Sequence, residues 1–260
     1  MRSRLSAPAI VTALLLSALP AMANGGIAVE GQRFVVTMPD GGRLAEDALI
    51  GATLTMLNAD GGKIAVRIDA LQPARENPSL LLMSLSVKDA QTGSWQPLCE
   101  PDAYGRSEGF PVAGAWNGNR FAADRSRWFI TCTSGSQGKC ILWGYDPWRK
   151  GPHGEDLIPY YEACQHLVRA DYDGTRTPHT RNGTNINMWD HIGIETRDPD
   201  ADDYAFEAGW APDGAVCVAK TRWHDLLSLA DLQRTAPRLT VPCTEDLATA
   251  KGALLFNRSR

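Results

Sequence analysis

Six cysteines (Cys99, Cys132, Cys140, Cys164, Cys217 and Cys243) constrain this chain more than any other feature, because all of them follow a stretch laid out like a secretory leader. Arg2 and Arg4 give a positive start, an apolar run covers residues 7–19, and Pro20 precedes the small-x-small triplet Ala21-Met22-Ala23. The run is shorter than the roughly 20 apolar residues a bilayer span needs, so a cleaved signal peptide over residues 1–23 is expected instead of an anchor. No cysteine follows the cut, which argues against a lipid anchor. The released chain would begin at Asn24 and be secreted or periplasmic. Thiols in such a compartment pair with each other; they are not kept reduced for metal or catalysis. An even count fits three bridges, although the sequence allows many pairings. Proximity along the chain suggests Cys132–Cys140 and Cys217–Cys243 as local bridges. Zinc would need closely spaced C-x-x-C or H-x-x-x-H pairs; none occurs, and the five histidines lack ligand spacing. No metal and no cofactor is expected.

The 260 residues allow one large domain or two small ones. Acidic residues outnumber basic ones, 30 to 26, and no basic cluster is visible, which disfavours nucleic acid as a partner. No later segment is apolar for long enough to cross a membrane. Residues 24–95 read as strands and turns, with a hairpin at Asn58-Ala59-Asp60-Gly61-Gly62. Residues 96–260 carry the cysteines. Within them, residues 99–119 look irregular, residues 157–170 have helical periodicity, and residues 224–234 and 245–255 are further helix candidates. Asn182-Gly183 predicts a hairpin that turns residues 178–189 back on themselves, and Pro212-Asp213-Gly214 predicts a second turn. The fold class expected is a strand-rich α+β chain of antiparallel sheets with a few short helices, stapled by disulfides, with residues 24–260 forming one compact unit.

Arg169-Ala170-Asp171-Tyr172, preceded by Cys164 and followed by Gly174, resembles the signature of the bacterial ADYC-domain family. The resemblance extends through Trp95-Gln96-Pro97-Leu98-Cys99, Cys132-Thr133-Ser134-Gly135, Gly144-Tyr145-Asp146-Pro147-Trp148, His179 to Thr184, Trp189-Asp190 and Gly214-Ala215-Val216-Cys217. It covers most of the chain after the leader. The fourth signature letter is Asp173 here, not cysteine. If the family cysteine forms a bridge, this chain has lost either that bridge or both partners; the even count favours the second. The resemblance implies an exported bacterial protein and a unified fold. It supplies no catalytic residues.

Candidate chemistry comes from four places. Gly105-Arg106-Ser107-Glu108-Gly109 matches the serine-hydrolase elbow, but the required strand before it is poor and Pro111 blocks a helix after it. Residues 198–203 begin like a calcium loop, yet lack the glycine and the closing glutamate, so a solvated acidic loop is the plainer reading. Asp171, Tyr172, His179, Arg181 and Asp190 gather around the expected hairpin. There His179 could act as a base oriented by Asp171 or Asp190, with Arg181 clamping an anionic substrate. The competing reading is an ordinary ion-pair network. Lastly, Trp143, Tyr145 and Trp148 could form an aromatic platform for a sugar, against the commoner role of core anchors. Together these favour a non-catalytic envelope or extracellular protein that binds a glycan, peptide or protein partner. A secreted hydrolase using His179, Asp171, Asp190 and Arg181 is the alternative.

Overall fold

A computed structural model describes residues 26–58, 60–201, 203–239 and 242–260, so the leader lies outside the described residues. The chain opens with a hairpin of β1 (Gly26–Glu30) and β2 (Arg33–Thr37). There follow β3 (Thr53–Leu57), β4 (Lys63–Pro73), β5 (Leu81–Lys88), β6 (Trp95–Pro97), β7 (Glu108–Ala113), β8 (Ala115–Asn117), β9 (Arg120–Ala122) and β10 (Trp128–Cys132). Two helices come next, α1 (Ser136–Leu142) and α2 (Ile158–Arg169), then β11 (Ile186–Asp190), β12 (Ala205–Ala211) and β13 (Gly214–Val218). The short helices α3 (Leu229–Thr235) and α4 (Glu245–Ala250) precede β14 (Leu255–Ser259).

The larger sheet runs β10-β7-β5-β4-β3, with β6 also paired to β5, all antiparallel. Strands on both sides of residue 95 therefore contribute to it. Val66, Ile68, Met83 and Leu85 bury one face against Val29 and Phe34 of the β1–β2 hairpin. Leu82, Phe110 and Val112 bury the other against α1 and α2. The smaller sheet has the order β11-β14-β12-β13. Trp210, Ala215 and Leu255 join the α2 core, and Trp189, Phe256 and Ala248 build a third cluster that includes Cys217 and Cys243. The result is the expected strand-rich α+β architecture.

Sequence and structure part company at four points of the secondary structure. Residues 99–119, expected to be irregular, contain β7, every residue of which is buried. Pro111 is tolerated there because β5 pairs only with Glu108 and Gly109, so no ladder bond toward β5 is lost at position 111. Asn182-Gly183 does turn, but no hairpin forms: β11 pairs with the distant β14, and residues 178–181 run along the end of α2, His179 N donating to the Arg169 carbonyl at 2.9 Å. The helix expected over 224–234 begins only at Leu229, where the Ser228 side chain accepts from Asp231 N. The helix expected over 245–255 ends at Ala250, and Leu255 starts β14.

All six cysteines are paired, as Cys99–Cys132, Cys140–Cys164 and Cys217–Cys243. The last matches expectation; Cys132–Cys140 does not. Cys132 closes β10 beside Cys99, while Cys140 faces inward from α1 and clamps it to α2. The glycines of the serine-elbow motif are accounted for structurally. Gly105 turns at φ +77°, and a Cβ on Gly109 would lie 2.5 Å from the Thr131 carbonyl oxygen beneath the Cys99–Cys132 bridge. Ser107 precedes a strand, not a helix.

Candidate functional site

Four segments converge on a cleft of about 450 Å³. The β1–β2 turn brings Glu30, Gln32 and Arg33, the β4–β5 loop brings Asn77 and Ser79, the β9–β10 loop brings Arg125, and the segment after α1 brings Asp146, Trp148 and Arg149. The turn is held against the sheet because Ala113 N donates to the Gly31 carbonyl at 2.8 Å. Trp148 is fixed by its Nε1, which donates to the Ala113 carbonyl at 2.7 Å. One edge of the cleft is thus tied twice to the same β7 residue.

Asp146 lies in the cleft lining and is only 4 % exposed. Its Oδ1 accepts from Gln32 Nε2 at 2.7 Å and from Trp148 N at 2.8 Å, and among the described residues Oδ2 receives no hydrogen bond. The second of these bonds closes an Asx turn across Pro147. Burial pushes the carboxyl above its ordinary range, against the opposing pull of these hydrogen bonds and of Arg149. Arg33 is engaged, with Nη1 on Glu46 at 3.0 Å and Nη2 on the Ser79 carbonyl at 3.1 Å. Arg125 lies over the Trp148 ring at 5.6 Å, and Arg149 reaches the Ser79 hydroxyl at 3.4 Å. Among the described residues, neither Arg125 nor Arg149 has a carboxylate within ion-pair distance.

A second cavity, of about 310 Å³, lies over the smaller sheet and is lined by Trp189, Arg197, Tyr204, Phe206 and Glu245 among others. Its charges are already matched. Arg197 pairs with Glu245 and stacks over Trp189 at 4.3 Å, and Glu245 also accepts from Trp189 Nε1 at 3.0 Å. Among the described residues, no group of three or more His, Cys, Asp or Glu side chains is arranged to hold a metal ion.

The polar residues singled out in the sequence have separate partners. Asp171 is buried and pairs with His166 Nδ1 at 2.8 Å, while Arg176 N donates to it at 2.9 Å. His179 Nδ1 faces the Ala170 carbonyl at 3.3 Å, and its ring stacks on Tyr172. Arg181 pairs with Asp225 and lies 4.1 Å above the Trp223 ring. Asp190 takes the Tyr145 hydroxyl at 2.8 Å and the backbone N–H groups of residues 192–195. None of the four lines either cavity. Of the aromatic trio, Trp148 reaches the cleft, Tyr145 is fully buried and Trp143 packs on the α1–α2 core. Tyr145 and Trp143 accordingly offer no shared platform with Trp148.

The signature segment is a corner that locks α2 to the smaller sheet. Ala170 ends the helix in the left-handed conformation, φ 50° and ψ 43°. Tyr172 then donates its hydroxyl to Glu207 Oε1 at 3.0 Å and accepts from Arg222 N at 2.7 Å. Arg222 and Glu207 form a buried pair at 3.0 Å, and Arg222 also donates to the Leu167 and Val168 carbonyls at the end of α2. Every donor in this knot has an acceptor, as a buried charge requires.

Asp146, Arg33, Arg125 and Arg149 are not legible as a group in the sequence. The only local signal was the Asp-Pro-Trp turn; the arginines sit far apart along the chain, and only tertiary folding collects them.

A strand-rich α+β fold with three disulfides, and no helix among the described residues long and apolar enough to cross a membrane, is consistent with a secreted or periplasmic protein. The family model of the ADYC domain matches residues 46–224, more than half of the chain, and the chain belongs to that family. No curated protein and no solved structure matches it significantly.

Proposed function

We propose that this is an exported, non-catalytic binding protein whose ligand is an acidic glycan held in the 450 Å³ cleft. The observation that carries the reading is electrostatic. A chain of net charge −4 presents Arg33, Arg125 and Arg149 around one cavity, and among the described residues Arg125 and Arg149 have no carboxylate within ion-pair distance. Arginine forks bind carboxylates in two-point fashion, and a fixed indole face packs against the apolar side of a sugar ring. Asn77 and Ser79 add polar groups to the lining of the same cleft. The dispersal of Asp171, His179, Arg181 and Asp190 among separate partners leaves the hydrolase alternative without a constellation to support it.

Calorimetric titration of the protein from Asn24 onward with an α-1,4-linked galacturonate trimer, and with a neutral maltotriose control, tests this. Binding of the acidic trimer alone is expected, weakening with added salt, and lost by at least about tenfold in the Arg125→Ala, Arg149→Ala double variant. Equal binding of the neutral trimer, or full affinity in the double variant, would overturn it.

A further inference from the structure

We infer that Asp146 is itself a ligand contact and that it works as an acid, its Oδ2–H donating to an oxygen of the bound anion so that one proton enters the complex from solvent. This rests on the cleft being the anion site. The geometry leaves Oδ2 as the position for that proton, because Oδ1 is already occupied by two donors, Gln32 Nε2 and Trp148 N. A carboxyl that is nine-tenths buried, hydrogen-bonded on one oxygen only, and set in a cavity wall is built to keep its second oxygen for something that enters the cavity. A carboxylate there would repel an anion, whereas a neutral acid supplies the donor that lies deepest among the guanidiniums.

The groups around Asp146 come from four elements. Gln32, Arg33 and Glu30 belong to the β1–β2 turn, Arg125 to the β9–β10 loop, and Arg149 to its own segment. Tyr161 of α2 is close enough behind it that the carboxylate helps burial push the phenol upward. Tyr161 is fully buried and, among the described residues, its hydroxyl makes no hydrogen bond to Asp146, so the helix offers the acid no donor. Burial raises the Asp146 carboxyl above its ordinary range, so taking up the proton on binding costs less than it would for an exposed aspartate.

Binding then falls as pH rises through the Asp146 range, since deprotonation both removes the donor and adds a negative charge. Galacturonate carboxylates stay ionised from about pH 5 to about pH 8, so a fall across that window belongs to the protein. The expected result with the trimer is an affinity loss approaching tenfold per pH unit once Asp146 ionises, and an uptake of about one proton, read calorimetrically from buffers of different ionisation enthalpy. Asp146→Asn keeps an Oδ1 acceptor for Gln32 and Trp148 N, and its titration should be flat over the same window. Binding that is independent of pH with no proton uptake in the unmodified protein would overturn this inference while leaving the anion cleft intact, as would an Asp146→Asn variant that keeps the slope. No binding of the trimer at any pH would overturn both. Proton uptake by the unmodified protein decides the matter even if Asp146→Asn does not fold.

Discussion

At the scale of single residues, this molecule spends its buried polar groups on holding loops. Asp190 is the plainest case: one carboxylate gathers four backbone N–H groups and a phenol. Its neighbour Glu195 meets the consequence. Burial, reinforced by the negative charge of Asp190, raises the Glu195 carboxyl from 4.5 to about 7. The folded protein therefore keeps a proton that the unfolded chain has already released between those values. Stability supplied by this residue is complete below about pH 4.5 and is lost as pH rises toward 7. Urea midpoints measured from pH 5 to pH 8 should fall more for the unmodified protein than for Glu195→Gln; parallel curves would remove Glu195 from the account. The Asp190–Glu195 pair was invisible in the sequence because Glu195 carries no motif. Asp190 was noticed there, but for a partnership with His179 that the fold does not make.

At the scale of elements, local signals were readable wherever the partner was also local. The α2 helix, the β3–β4 hairpin and the β12–β13 turn lie close to where periodicity and glycine placed them. The hairpin expected at Asn182-Gly183 failed for the opposite reason: its second strand prefers β14, some seventy residues onward, a pairing that no dipeptide announces. β7 was hidden because glycine and proline, ordinarily signs of a loop, are here answers to a disulfide crossing overhead and to a neighbour strand that stops short. The corner after α2 sets a further demand. Gly174 has φ +75° and a Cβ there would come within 2.2 Å of the Asp213 carbonyl oxygen, so the signature loop and the β12–β13 turn touch backbone to backbone. Gly174→Ala should cost clearly more than the roughly 1–2 kcal/mol of left-handed strain alone. Gly154→Ala is the matched control: φ is +91° and nothing lies within 4 Å of the added methyl. Thermal melts that shift equally for the two variants would contradict the close approach.

At the scale of the whole molecule, α2 is the shared wall, packing against α1 on one side and against β12, β13 and β14 on the other. The candidate cleft sits at the other end of this arrangement, between the first hairpin and the segment after α1. Charge balance in the sequence argues against a nucleic-acid surface but does not show a local surplus of arginine, because that surplus exists only after distant loops meet. β14 occupies an inner position in its sheet, bonded to β11 and β12. A chain ending before Leu255 should lose the whole smaller sheet together with the Trp210–Asn257 side-chain bond of 2.8 Å, and should appear as a collapsed species without near-ultraviolet circular dichroism. A cooperative melt near that of the full chain would show that β14 is dispensable. The ordering has a meaning for biogenesis as well. Both strands that flank β14 precede it in the chain, so the smaller sheet cannot close its ladder until β14 has been made.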